Sequence, residues 1–191
     1  MPPPTNPISY KALSPEQLTT MWRSNPKTRD RPAPRVVEYD DVMRASSLDD
    51  IFPRSQNSII LFYPAIQNGS NISGHYVSLV RDPESKTIYF CDSYGKLPDT
   101  TQKKFADPRL YQAEKGRNSL IDLFLKYGWE TDWSESRLQS SKPGVATCGR
   151  WSLWRCQWEN LTNEQFAQFA RFASRYYKIP SLDDTVSHIW K

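Results

Sequence analysis

The chain is poor in the residues that hold metals and cross-links. Two His and three Cys are spread over 191 residues, without metal-ligand spacing, so neither a zinc site nor another metal or cofactor is expected. Three Cys supply no partner set for a disulfide framework, which points to a reducing compartment. Long apolar runs are missing too, so no membrane-spanning helix is expected. The opening MPPPTNPISY lacks the charged-then-apolar order of a secretory signal. An excess of one charge is also missing. The net charge of +4 is too small to argue for a nucleic-acid partner by itself. There is no internal repeat.

What is present is large and aromatic. Aromatic residues make up 13% of the chain, with seven Trp and ten Tyr, so rings must fill much of the core. The mean hydropathy of −0.71 is that of a polar, globular chain. Its length suits one compact domain. Residues 1–13 read as an extended, Pro-rich arm. SPEQLTTMW predicts a short helix, capped by Ser14 with Pro15 at its first position and Gln17 closing a capping box. A polar connector follows, and residues 37–51 read as partly helical. SIILFYP (58–64), HYVSLVR (75–81) and KTIYFCD (86–92) read as strands. SLIDLFLKYGW (119–129) predicts a helix ended by Gly128, and ETDWSESRLQ a further short strand. Two helices are predicted beyond it, one from Cys148 and one from NEQFAQFARFASRYY, capped by Thr162 with Gln165. Helix, strands, then helices give an α+β class rather than an alternating one.

The chemistry gathers on four residues. A four-residue turn at Asp82–Ser85 pairs Arg81 with Lys86, Leu79 with Ile88, Val77 with Phe90 and His75 with Asp92. The apolar pairs share one face, and an imidazole then stands opposite a carboxylate. The facing Arg81 and Lys86 are unfavourable, and a slip by two residues relieves them without changing faces. A lone His at a strand end is usually just a polar end, but two such groups converge here from separate strands. Cys148 stands at the N-terminus of its helix, where the dipole favours thiolate. The ordinary fate of a free cysteine is a small core residue. Cys91, on the opposite strand face from Asp92, and Cys156, deep in the helix, are assigned that fate. Trp151, Trp154 and Trp158 form one side of this helix, and Gly149, Ser152 and Cys156 the other, where a sheet can approach closely. Gly144 and Gly149 leave room for a substrate. An oxyanion would find donors in the Cys148 N–H and the Gln139 carboxamide. Gln112 and Gln157 are less well placed. His188, near the C-terminus in an expected surface segment, is a poor alternative base.

GHYVSLV, IYFCDSYG and Q…ATCGRW together resemble the cysteine proteases of the adenovirus-endopeptidase and ubiquitin-like-protein-processing clan, over roughly residues 58–160. Their chain order is His, acid, Gln, then Cys followed by Gly. The short chain looks like a virus- or virophage-encoded maturation protease. The resemblance implies a papain-like core, with a central mixed sheet packed on the nucleophile helix. It implies His75 as base, Asp92 as its orienting acid, Cys148 as nucleophile and Gln139 at the oxyanion hole. It implies a polypeptide substrate, such as a capsid or core precursor cut after small residues, met in the virus factory, host cytoplasm or virion. Tyr76 stands where the clan often has Trp, and eight residues separate Gln139 from Cys148, more than usual. Rival readings on the same triad are a ubiquitin- or SUMO-type isopeptidase and an acetyltransferase. A third is a non-catalytic binding module with an aromatic surface. DNA and a peptide activate the adenovirus enzyme; here Lys27, Arg29, Arg31, Arg35, Lys103 and Lys104 form no tight stripe and read as a solvated surface. A monomer is expected.

Overall fold

A computed structural model describes residues 10–65, 73–98, 100–101 and 120–191. The first helix, α1 (Pro15–Ser24), opens on the capping box of Ser14 and Gln17. Strand β1 (Arg35–Glu38) and the short helices α2 (Tyr39–Arg44) and α3 (Leu48–Ile51) follow. Strands β2 (Ser58–Ala65), β3 (Ser73–Asp82) and β4 (Thr87–Cys91) come next. Helix α4 (Leu120–Lys126), strand β5 (Glu130–Trp133) and helices α5 (Cys148–Gln157), α6 (Asn163–Tyr176) and α7 (Leu182–Ile189) complete the described chain. The strands form one mixed sheet in the order β1-β2-β3-β4-β5. Its central pairs are antiparallel, while β1 on β2 and β5 on β4 are parallel. The class is α+β.

The β3–β4 register is the two-residue slip. Leu79 pairs with Phe90, Arg81 with Ile88 and Asp82 with Thr87. Asp82 starts the turn from inside the strand. Its carboxylate accepts the Glu84 N–H at 3.0 Å and the Ser85 hydroxyl at 2.7 Å. Lys86 closes the loop in the left-handed region at φ 51°. Arg81 thereby escapes Lys86 and donates to Asn57 Oδ1 at 3.1 Å. A shift of two leaves every side chain on its expected face, because the pleat has period two.

Both faces of the sheet are covered. Ile59, Leu61, Val77, Leu79, Ile88 and Phe90 pack with Tyr39, Val42, Ile51, Leu123 and Phe124 from α2, α3 and α4. Ile60, Tyr76 and Cys91 face the other way, against Leu18, Trp22, Trp151, Trp154, Phe166 and Val186 of α1, α5, α6 and α7. The segment expected to be partly helical from 37 begins instead as β1, whose Val36 and Val37 pair with Ile60 and Leu61. The C-terminal segment expected at the surface is α7. Beyond it Trp190 is buried and stacks on Trp22 at 5.9 Å, while half-buried His188 lies 5.9 Å from the Tyr177 ring.

The small side of α5 does meet the sheet. Cys156 Sγ lies 3.7 Å from the Ile59 carbonyl. A Cβ on Gly149 would stand 2.9 Å from Leu18 Cδ2 and 3.4 Å from the Tyr76 ring. Gly149 is therefore bare for close packing and not to admit a substrate. The helix runs beside β3 with its N-terminus at the His75 end. Gly149→Val drives a branched side chain into this contact and is expected to cost about 1–3 kcal/mol, read as a lower midpoint in urea denaturation.

Candidate active site

Near the start of β3, Gly74 lets the backbone lie tightly on β2. A Cβ there would stand 2.4 Å from the Tyr63 carbonyl and from the Phe62 ring. The next residue, His75, is 1% exposed. At the end of β4 the chain turns through Asp92–Gly95, closed by the Gly95 N–H on the Asp92 carbonyl at 2.9 Å with Gly95 at φ 67°. Asp92 and His75 are not directly opposite in the ladder. They meet beyond its last pair, with Nε2 of His75 2.9 Å from Oδ1 of Asp92. The same Oδ1 accepts the Tyr94 N–H at 2.8 Å, and Oδ2 accepts the Thr101 hydroxyl at 2.7 Å. The carboxylate is thus fully buried and fully partnered. With Nε2 committed, Nδ1 is the nitrogen left to face Cys148, whose thiol hydrogen-bonds the imidazole.

Cys148 is the first residue of α5 and is 7% exposed. Burial pushes its pKa up. The hydrogen bond from His75, the charge on that ring and the backbone N–H groups of Tyr76 and Gly149 outweigh burial, and the net shift is downward. For His75 burial pushes down, while hydrogen bonds to Asp92 and Cys148 push further up, to about 9. Both shifts favour the thiolate–imidazolium form of the pair. Tyr94 stacks on the imidazole at 5.1 Å. Burial, with the Cys148 charge beside it, pushes its phenol up to about 12, so it stays protonated.

Gln139 joins this cluster by its backbone. The N–H groups of Leu138 and Gln139 both reach the Ser93 carbonyl at 2.8 Å. The Gln139 carboxamide oxygen accepts from Ser93 Oγ at 2.7 Å, and its nitrogen donates to Tyr94 Oη and the Val145 carbonyl, each at 3.1 Å. The long span to Cys148 is therefore folded back, with Gly144 at φ 82° in the bend. His75, Asp92, Gln139 and Cys148 lie in one connected network.

Other candidates stand apart. Burial pushes Cys91 up to about 11 and Cys156 up to about 12. Gln157 ends α5. Gln112, Lys103 and Lys104 lie outside the described residues. Arg31 is spent on Glu159 at 3.2 Å and Arg35 on the Asp50 carbonyl at 3.3 Å. Among the described residues no group of three or more His, Cys, Asp or Glu could hold a metal, and no helix is long and apolar enough to cross a membrane. An apolar groove of about 490 Å³, lined by Trp154, Trp158, Phe169, Phe172 and Tyr176 among others, contains none of the four network residues. Sequence reasoning missed the supporting groups. Tyr94 stood inside the DSYG motif, but its stacking role carried no signal of its own. Thr101 and Asp183 had none.

No family model matches the chain. The uncharacterised protein V9 of Sputnik virophage is 27% identical over 146 residues, which cover 75% of this chain and 79% of that one. A structure of the SUMO protease Ulp1, with its catalytic cysteine oxidised to a sulfinic acid, aligns with a TM-score of 0.39 at 11% identity, over 95% of this chain and 80% of that one. ChlaDub1 from Chlamydia trachomatis aligns with a TM-score of 0.29 at 12% identity, over 94% of this chain and 85% of that one.

The two shifted groups set a pH window. Cys148, lowered from the ordinary thiol range, loses its proton first as pH rises, and His75 keeps its own until about 9. Iodoacetamide is expected to label Cys148 rapidly at neutral pH, with a midpoint below the ordinary thiol value. Cys91 and Cys156 react slowly throughout. Peptide mapping after timed labelling checks this, and uniform labelling of all three cysteines contradicts it.

Proposed function

We propose that the chain is a cysteine endopeptidase acting through Cys148, His75 and Asp92. One observation carries the reading: a thiol at a helix N-terminus bonds an imidazole whose far nitrogen is held 2.9 Å from a buried carboxylate. This is the arrangement of a nucleophile, its base and an orienting acid. The thiolate attacks a substrate carbonyl carbon and the C=O electrons move onto oxygen. The Cys148 N–H, at the start of α5, is a backbone donor for that oxyanion. Gln139 is the second, and to serve it must release either Tyr94 Oη or the Val145 carbonyl. The imidazolium of His75 then gives its proton to the leaving amine as the C–N bond breaks. Next, His75 takes a proton from water, whose oxygen attacks the thioester carbonyl. The C–S bond breaks, the acid product leaves, and the Cys148 thiolate is restored beside the His75 imidazolium. Asp92 keeps the ring in place and stabilises its charged form throughout.

The substrate we infer is a viral capsid or core precursor, processed in the virus factory, the host cytoplasm or the virion. Support comes from the virophage relative and from the resemblance of GHYVSLV, IYFCDSYG and Q…ATCGRW to the adenovirus-endopeptidase and ubiquitin-like-protein-processing clan.

Co-expression with candidate precursors, read by gel and by N-terminal sequencing of products, tests the reading. Cys148→Ala is expected to abolish cleavage, and Asp92→Asn to lower kcat by about 10²–10⁴. Undiminished cleavage by Cys148→Ala sinks the assignment. Release of a fluorophore from the C-terminus of ubiquitin or SUMO, without precursor cleavage, replaces the endopeptidase by an isopeptidase. The rate with a peptide substrate is expected to rise through the lowered Cys148 pKa. It falls again near 9, where His75 loses the proton that the leaving amine needs.

A further inference from the structure

A buried carboxylate from the far end of the chain holds the loop that joins Gln139 to Cys148. Asp183, in the first turn of α7, is 5% exposed. Its Oδ2 accepts the Ser140 N–H at 2.8 Å. Its Oδ1 accepts the Thr147 hydroxyl and the Trp151 indole N–H, the latter at 3.4 Å. Ser140 directly follows Gln139 and Thr147 directly precedes Cys148. One side chain therefore clamps both ends of the intervening loop and the first turn of α5. A buried carboxylate without donors would be costly, and these three donors satisfy it. The neighbouring Asp184 accepts from the Tyr10 hydroxyl, and the Tyr10 carbonyl accepts the Ala146 N–H at 2.9 Å. The loop is thus held from two sides.

The use made of Thr147 is telling. It stands at the N-cap of α5, where threonine ordinarily turns its hydroxyl back onto the helix. Here it makes no such cap, because the hydroxyl goes to Asp183. The Gly149 N–H of that first turn goes to the Cys148 sulfur instead. Around the sulfur stand His75 and Tyr76 from β3, Tyr94 beyond β4 and Arg150 on α5.

We propose that Asp183 is a positioning residue of the Cys148 site, clamping Ser140 and Thr147 so that the thiol meets His75 and Gln139 stays beside it. The proposal rests on the peptidase reading, and its test does not need a substrate. The alkylation rate of Cys148 is measured against pH in the full chain, with circular dichroism as the check of folding. In Asp183→Asn, one acceptor oxygen and the charge are lost. Loss of the charge alone would favour the thiolate, so a rise reports displacement of the thiol from His75. The midpoint is expected to rise by about one unit, which slows labelling about tenfold at pH values below both midpoints. Thr147→Val removes a single anchor, is the milder change, and is expected to move the midpoint in the same direction. Thr147→Ser keeps the hydroxyl and restores the wild-type profile. A residue that only stabilised the fold would lower the melting temperature and leave the midpoint in place. A folded Asp183→Asn or Thr147→Val with the wild-type profile overturns the proposal. If Asp183→Asn does not fold, Thr147→Val and Thr147→Ser decide it. A wild-type midpoint in the ordinary thiol range sinks the peptidase reading instead, so the two failures are distinguishable.

Discussion

His75 carries its proton between two buried partners, and burial alone would strip that proton off. The imidazolium survives because Asp92 lies 2.9 Å from one nitrogen and the Cys148 sulfur bonds the ring from its other side. Neither partner can be spared: a single buried charge would neutralise itself, whereas a pair with matched hydrogen bonds need not. Asp92 in turn needs donors for both oxygens, and it takes them from His75, the Tyr94 N–H and Thr101. Much of the architecture between the start of β3 and the end of β4 supplies those donors.

Two devices bring the sulfur to the ring. The first is packing. Gly149 lets α5 come down on Leu18 and Tyr76, and Cys156 reaches the Ile59 carbonyl further along the same helix. Small residues on one side of α5 set its distance from the sheet, and the tryptophans on its other side fill the space towards α6. Trp154 packs 5.7 Å from Phe166 and 5.6 Å from Phe169. The second is the returning loop. Gln139 is hung on the Ser93 carbonyl, and Asp183 gathers Ser140 and Thr147 on one carboxylate. A helix start aimed at a strand end thus becomes a site by virtue of a residue from α7.

Much of this was legible in the chain. The alternation of Val77, Leu79, Ile88 and Phe90 put His75 and Asp92 on one face whether or not the register slipped. The capping boxes at Ser14 and Thr162 located two helices, and both form. The register itself was not legible. It depends on Lys86 taking the left-handed conformation and on Asp82 turning the chain from within the strand, a choice between two turns that share the same apolar faces. Residues 35–38 do not read as a strand, and 37 onward reads as partly helical, because four residues on a sheet edge carry too little pattern. Their strand character comes from β2, already present to pair with them.

The sequence by itself determined which residues could do chemistry: a thiol at a helix start, an imidazole and a carboxylate on a shared strand face, and a glutamine upstream. It did so through local rules, namely the period of a strand, the cap of a helix and the dipole at its end. Only the tertiary structure decided that Gln139 lies beside Tyr94, that Gly149 is bare for packing, and that Thr147 turns its hydroxyl from its own helix to Asp183. Those outcomes rest on contacts between residues far apart in the chain. No local periodicity encodes them, because each is the answer to where a buried polar group finds its partner.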